Sequence, residues 1–112
     1  MAVADSDILS TFRNAATREQ GFELLVVKYR ERLYWQIRRM VHNHSDADDI
    51  LQNVLIKIWR YLDNFEAQSQ LHTWLYRIAV NETLTFLRQQ KRKATVAIDD
   101  APATAAEDMA EQ

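Results

Sequence analysis

From Ile8 to Leu87 the apolar residues recur at intervals of three and four, the period of amphipathic helices. Ile8, Leu9 and Phe12 stand at i, i+1 and i+4 and predict a short first helix, with Asp5, Ser6 or Asp7 available to cap it. Thr17-Arg18-Glu19-Gln20 has the form of a capping box. Behind it Phe22, Leu25, Val26, Tyr29, Leu33, Ile37, Met40 and Val41 predict a long second helix ending near His42 and Asn43. Ser45 is placed to cap a third helix, whose first turn holds Asp46, Asp48 and Asp49, where the helix dipole favours anions. Its apolar stripe is Ile50, Leu51, Val54, Leu55, Ile58, Trp59 and Leu62. A polar loop spans about residues 63–69. Ser69 then caps a fourth helix that turns Leu71, Leu75, Ile78, Ala79, Val80, Leu84 and Leu87 inward. Beyond Ala94 the pattern dissolves into Ala, Asp, Thr and Glu, the composition of a linker or disordered tail. Strand-like alternation and internal repeats are absent from the sequence. The expected fold is all-α, a compact bundle of about four helices over 1–93 followed by a disordered acidic tail over 94–112.

Composition sharpens this picture at three points. One Gly and one Pro in 112 residues are too few for a chain of strands and tight turns. No cysteine is present, which excludes disulfides and thiolate metal sites and suits a reducing compartment. The N-terminus lacks the basic and apolar regions of a signal peptide, and Leu24-Leu25-Val26-Val27 is far too short to span a bilayer, so a cytoplasmic protein is expected. The formal charge of −2 conceals a division, because residues 99–112 hold five acids and no base. Residues 1–98 hold 14 basic and 11 acidic residues, with a cationic run at Arg88-Gln89-Gln90-Lys91-Arg92-Lys93.

Three surfaces are candidates for function. On the third helix Asp49, Gln52, Asn53 and Ile56 fall at i, i+3, i+4 and i+7, opposite most of the stripe, bordered by Lys57 and Arg60. An apolar residue amid hydrogen-bonding groups describes a protein-docking patch, or a solvated face with one stray Ile. On the fourth helix Trp74, Arg77, Asn81, Thr85, Arg88 and Arg92 share one face. Arginines hold phosphates and an amide reads a base edge; the same cations also favour the dipole at a helix C-terminus. In the loop, Phe65 either plugs the core between two helices or lines a pocket for an unstacked base. His42, His44, Asp46, Asp48 and Asp49 crowd one region, but capping and the dipole account for the acids, and no metal site is assigned. No nucleophile elbow, phosphate loop or carboxylate pair is present, so no catalytic residue and no cofactor is expected.

The phrases DADDILQNVLIKIWRYLDNF and HTWLYRIAVNETLTFLRQQKRK, in this order and at this spacing, resemble region 2 of bacterial extracytoplasmic-function sigma factors. The resemblance covers about residues 5–93. It implies a non-enzymatic transcription-initiation module that binds core RNA polymerase and recognises and melts the promoter minus-ten element. The third-helix face, here Asp49, Gln52, Asn53, Ile56 and Arg60, would grip the clamp coiled coil of the largest polymerase subunit; Asn53 stands where the family commonly has an acid. Phe65, Ser69, Trp74, Arg77, Asn81, Thr85, Arg88 and Arg92 would contact promoter DNA. Phe65 and Asn81 match positions lining the pocket for a base flipped from the non-template strand. Glu66-Ala67-Gln68 departs from the basic residue and Gly that often follow the Phe. The resemblance also implies an anti-sigma factor as inhibitor, no membrane partner, and a second, upstream-element-binding domain that this chain lacks. The alternative is a helical protein-interaction or regulatory module without DNA binding, for which Asn53 and Ile56 matter and Arg77, Asn81 and Arg88 do not.

Overall fold

Gly21 and Phe12 fix the first helix crossing. The computed structural model describes residues 3–66 and 68–98. Helix α1 (Asp5–Arg13) is followed by a 3-10 turn (Ala15–Thr17), α2 (Arg18–Arg38), α3 (His44–Tyr61), a second 3-10 turn (Leu62–Asn64) and α4 (Leu71–Ile98). Among the described residues there is no strand, so the all-α bundle of four helices stands as expected. Helix α1 lies on α2 with Ile8 and Phe12 fully buried. Gly21 permits the approach: a Cβ there would stand 2.6 Å from Phe12 Cα and run into Phe12 N.

Down α2, Leu25, Tyr29, Leu33 and Ile37 form a buried seam four residues apart, and α3 answers with Ala47, Ile50, Leu51, Val54 and Ile58. Helix α4 closes the bundle with Leu71, Leu75, Ala79 and Thr83. Thr83 has no exposure at all, and its hydroxyl donates to the Ala79 carbonyl (2.7 Å), which removes the cost of burying it. Small side chains at positions 79 and 83 fit a helix that lies against both α2 and α3. Leu84, expected inside, is exposed instead. It stands five residues from Ala79, which carries it about 140° round the helix, away from the seam.

The helix ends depart from the sequence expectations in instructive ways. None of Asp5, Ser6 and Asp7 caps α1; the Ala4 carbonyl accepts from the Asp7 and Ile8 amides, without a side-chain cap. The Asp5 carboxylate is engaged elsewhere, accepting from Lys28 Nζ (2.8 Å) and the Tyr29 hydroxyl (2.8 Å), while Lys28 also donates to the Val3 carbonyl (2.6 Å). The capping box at Thr17 does not form: its hydroxyl donates to the Thr11 carbonyl (2.8 Å). Helix α2 stops at Arg38, short of His42, because Met40 N bonds back three residues to the Ile37 carbonyl (2.9 Å) and Val41 turns into the core. Arg38 Nη1 donates to the Val41 carbonyl (3.0 Å) and holds that turn. Asn43, not Ser45, caps α3: its Oδ1 accepts from Asp46 N (2.8 Å) and its Nδ2 donates to Asp46 Oδ2 (3.1 Å). Gln70, not Ser69, gives α4 its first carbonyl, accepting from the Thr73 and Trp74 amides. Helix α4 continues past Lys93 and Ala94 to Ile98. The disordered tail expected from 94 therefore does not begin there, since residues 94–98 belong to α4; its remainder, 99–112, lies outside the described residues.

The Asp5 junction makes the fold pH-sensitive. Burial raises the Asp5 pKa, but the hydrogen bonds from Lys28 and Tyr29 outweigh it and hold the carboxyl below the ordinary value. Burial first, then the Asp5 bond, pushes the Tyr29 hydroxyl far above the usual tyrosine range. A folded pKa lower than the unfolded one contributes stability at and above the unfolded value, about 3.9, and loses it as pH falls through the folded value. The melting temperatures of wild type and Asp5→Asn should therefore differ at neutral pH and converge as pH drops below about 4. Parallel melting-temperature profiles by circular dichroism would contradict this account of Asp5.

Among the described residues, no helix is long and apolar enough to cross a membrane.

Candidate nucleic-acid and protein interfaces

Because Leu75, Ala79 and Thr83 take the inward side of α4, the opposite side carries polar residues together with the exposed Leu84. Arg77, Asn81, Arg88 and Arg92 are all exposed there, and Thr85 is half-buried among them. Thr85 Oγ1 donates to the Asn81 carbonyl (3.0 Å), so its proton is committed to the helix and only acceptor capacity faces outward. At the upper end Trp74 is half-buried, its ring tilted against Phe65 with centroids 5.6 Å apart. From Trp74 to Arg92 the row runs about 27 Å along the helix.

The structure brings Phe65 and Trp74 together, but with the Phe65 ring inside the core at 4% exposure. Of its two readings, the plug between helices describes where the ring sits. Its backbone anchors the loop as well. The Phe65 carbonyl accepts from Arg13 Nη2 (2.9 Å), and Phe65 N donates to the Leu62 carbonyl (3.1 Å). The loop end is thus pinned to α1, while Glu66, Gln68 and Ser69 are exposed beside it. A second anchor is Arg18, which the sequence reading missed. Its guanidinium lies 4.0 Å from the Phe12 ring centroid and 4.8 Å from that of Trp59, and it donates to Asp63 Oδ2 (2.8 Å).

On α3, Asp49, Gln52, Asn53, Ile56 and Arg60 are all exposed, as the spacing predicts. Ile56 is 49% exposed because Val54 and Ile58, two residues to either side, point into the core. Beside it the Lys57 ammonium pairs with the Glu82 carboxylate of α4, and the Glu82 side chain is only 12% exposed. This pair joins the α3 strip to the α4 row, since Ile56 precedes Lys57 and Asn81 precedes Glu82. Glu82 is a further residue that the sequence reading missed. Its signal was an acid standing three residues after Ala79, on the flank of the inward seam.

The His–Asp cluster separates into local contacts. His44 Nδ1 stands 3.6 Å from Asp48 Oδ2 and 3.3 Å from the Tyr34 hydroxyl, while Asp46 belongs to the Asn43 cap. No group of three or more potential metal ligands converges among the described residues. A concavity of about 730 Å³ lies between α2 and Tyr76, lined by Lys28, Arg32, Trp35 and Arg39 among others. It contains none of the predicted site residues. Those lie on the faces of α3 and α4, except Phe65 and Ser69, which belong to the loop between them.

Comparisons with known proteins agree with this geometry. The family model of sigma-70 region 2 matches residues 25–93, from the seam of α2 to the cationic end of α4. The RNA polymerase sigma-H factor of Pseudomonas aeruginosa is 40% identical over 75 residues, covering 67% of this chain and 39% of that protein. The ECF RNA polymerase sigma-E factor of Escherichia coli K12 gives the same identity and coverage. The chain thus spans about two fifths of the length of these curated relatives. The NMR structure of an engineered region 2 of sigmaE in complex with GTAAAA superposes with a TM-score of 0.72 at 33% identity, covering 81% of this chain and 93% of that one. With the matched segment running through α2, α3 and α4 and the fold shared, the chain belongs to the sigma-70 region 2 family.

Proposed function

We propose that this chain docks on core RNA polymerase through α3 and holds the single-stranded minus-ten element of a promoter along α4. The observation that carries the reading is the exposed row Arg77, Asn81, Arg88 and Arg92, continuous with Trp74 and the loop anchored at Phe65. Three arginines supply phosphate contacts, and the one amide among them can hydrogen-bond a base. The solved relative in complex with GTAAAA supports placing nucleic acid on this domain type. Phe65 acts from behind, since its buried ring sets the position of Trp74 and of the loop. A base leaving the duplex would enter at the loop beside the exposed Ser69, its unstacking cost of a few kcal/mol offset by stacking and edge contacts. Glu66, exposed in that loop, repels phosphate and favours a base preference different from that of loops carrying a cation there.

On this reading the clamp coiled coil of the largest polymerase subunit is the partner of Asp49, Gln52, Asn53, Ile56 and Arg60. An anti-sigma factor would inhibit by covering the same faces. The domain works in the cytoplasm, where promoter DNA and polymerase are, and it catalyses no reaction of its own.

The test is fluorescence anisotropy of a labelled single strand containing GTAAAA, added to the chain with core polymerase. Asn81→Ala should weaken strand binding by about 5- to 100-fold, the range of one good base contact, and leave polymerase affinity unchanged. Arg88→Ala should weaken all strands about equally and make the logarithmic salt slope shallower by about 0.7. Polymerase binding with strand affinity indifferent to both variants would instead establish a protein-interaction module without a DNA role.

A further inference from the structure

The cationic end of α4 and the acidic residues that follow it are segregated into adjoining blocks. From Thr83 to Ile98 the sequence contains four basic residues and no acid; from 99 to 112 it contains five acids and no base. Among the described residues, Arg77, Arg88, Arg92 and Lys93 enter no ion pair, whereas Lys57 beside them is paired with Glu82. We propose that segment 99–111 docks in cis on the cationic row of α4 and occupies it in place of nucleic acid. This rests on the reading of α4 as a nucleic-acid face.

The reach is sufficient. Arg88 lies about 15 Å and Arg77 about 32 Å back along the helix from Ile98. Glu107, Asp108 and Glu111 follow Ile98 by about 9–13 residues, which extend to roughly 30–45 Å. Carboxylates and phosphates compete for the same guanidinium forks. A tethered segment acts at an effective concentration on the order of 1 mM. Given an untethered affinity of about 10⁻⁴ M, the weak end of non-specific nucleic-acid binding, the segment would lower strand affinity about tenfold.

The experiment uses the full chain and a variant neutralised outside the bundle: Asp99→Asn, Asp100→Asn, Glu107→Gln, Asp108→Asn and Glu111→Gln together. Two readouts separate docking from DNA binding. The side-chain Nε–Hε NMR signals of Arg77, Arg88 and Arg92, without DNA, should shift between the two proteins. Anisotropy of the GTAAAA-containing single strand should show about tenfold tighter binding to the variant at low salt, the gain shrinking as salt rises. Identical arginine signals in the two proteins overturn the proposal, as does equal strand affinity where both bind. If neither protein binds the strand, the nucleic-acid reading of α4 has failed by itself, and the proposal of occupancy in place of nucleic acid falls with it. Arginine shifts that persist would then mark an acidic contact without that competitor.

Discussion

Gly21→Ala should lower the melting temperature by more than about 10 °C, although the same substitution in an ordinary helix raises stability. A glycine within a helix costs up to about 1 kcal/mol relative to alanine, so propensity alone predicts a gain. Here the new methyl group meets Phe12 N and Phe12 Cα, backbone atoms that no rotamer change can move aside. Relief requires α1 to lift from α2. That opens the contact holding Ile8 and Phe12, both without any exposure, and draws Phe12 away from the Arg18 guanidinium and from the edge-on Trp59 ring at 5.6 Å. Overpacking costs typically 1–3 kcal/mol, and collision with backbone falls at or above the upper end. Each kcal/mol shifts the midpoint of a domain this size by about 4–8 °C. Glu23→Ala, two residues on and exposed, is the control and should leave the melt nearly unchanged. A Gly21→Ala protein that melts higher than wild type would show that α1 and α2 are farther apart than described.

That crossing also marks the limit of what the sequence disclosed. The helices were legible because their burial is periodic: Leu25, Tyr29, Leu33 and Ile37 announce a seam by spacing alone. The exposed faces were legible as its complement, which is why Ile56 and the row from Arg77 to Arg92 stand where they were expected. The ends were not legible, because a short polar side chain has several possible partners and the choice is tertiary. Asp5 looked like a cap and instead meets Lys28 and Tyr29, more than twenty residues away in the chain. Thr17 looked like half of a capping box and instead reaches back to Thr11. Long-range pairs such as Lys57 with Glu82 and Arg18 with Asp63 have no local signature at all. Thr83 was passed over for a related reason: a hydroxyl that bonds its own helix can occupy a core position that hydropathy assigns to Leu84.

Ile56→Asp should reduce affinity for core RNA polymerase by about 100-fold while leaving helicity and melting temperature as in wild type. Half of the Ile56 side chain is already in water, and its neighbours Asn53 and Arg60 are exposed too. The substitution therefore opens no cavity and buries no charge within the free domain. In the proposed docking the same position would be the apolar centre of a polar strip, and a central anchor of this kind is worth about 2 kcal/mol or more on truncation. A carboxylate adds desolvation to that loss, so about 3 kcal/mol, a hundredfold, is the expected total. Asn81→Ala measured in parallel should bind polymerase like wild type, because Asn81 is exposed on the α4 row, which faces away from the buried seam. Loss of ellipticity in Ile56→Asp would mean that Ile56 supports the fold after all. A folded Ile56→Asp protein that still binds polymerase would move the docking face elsewhere. The next surface to test would then be α2, where Val27 is 86% and Trp35 51% exposed beside Lys28, Arg32 and Arg39. A partner that covers these large apolar groups would account for their exposure.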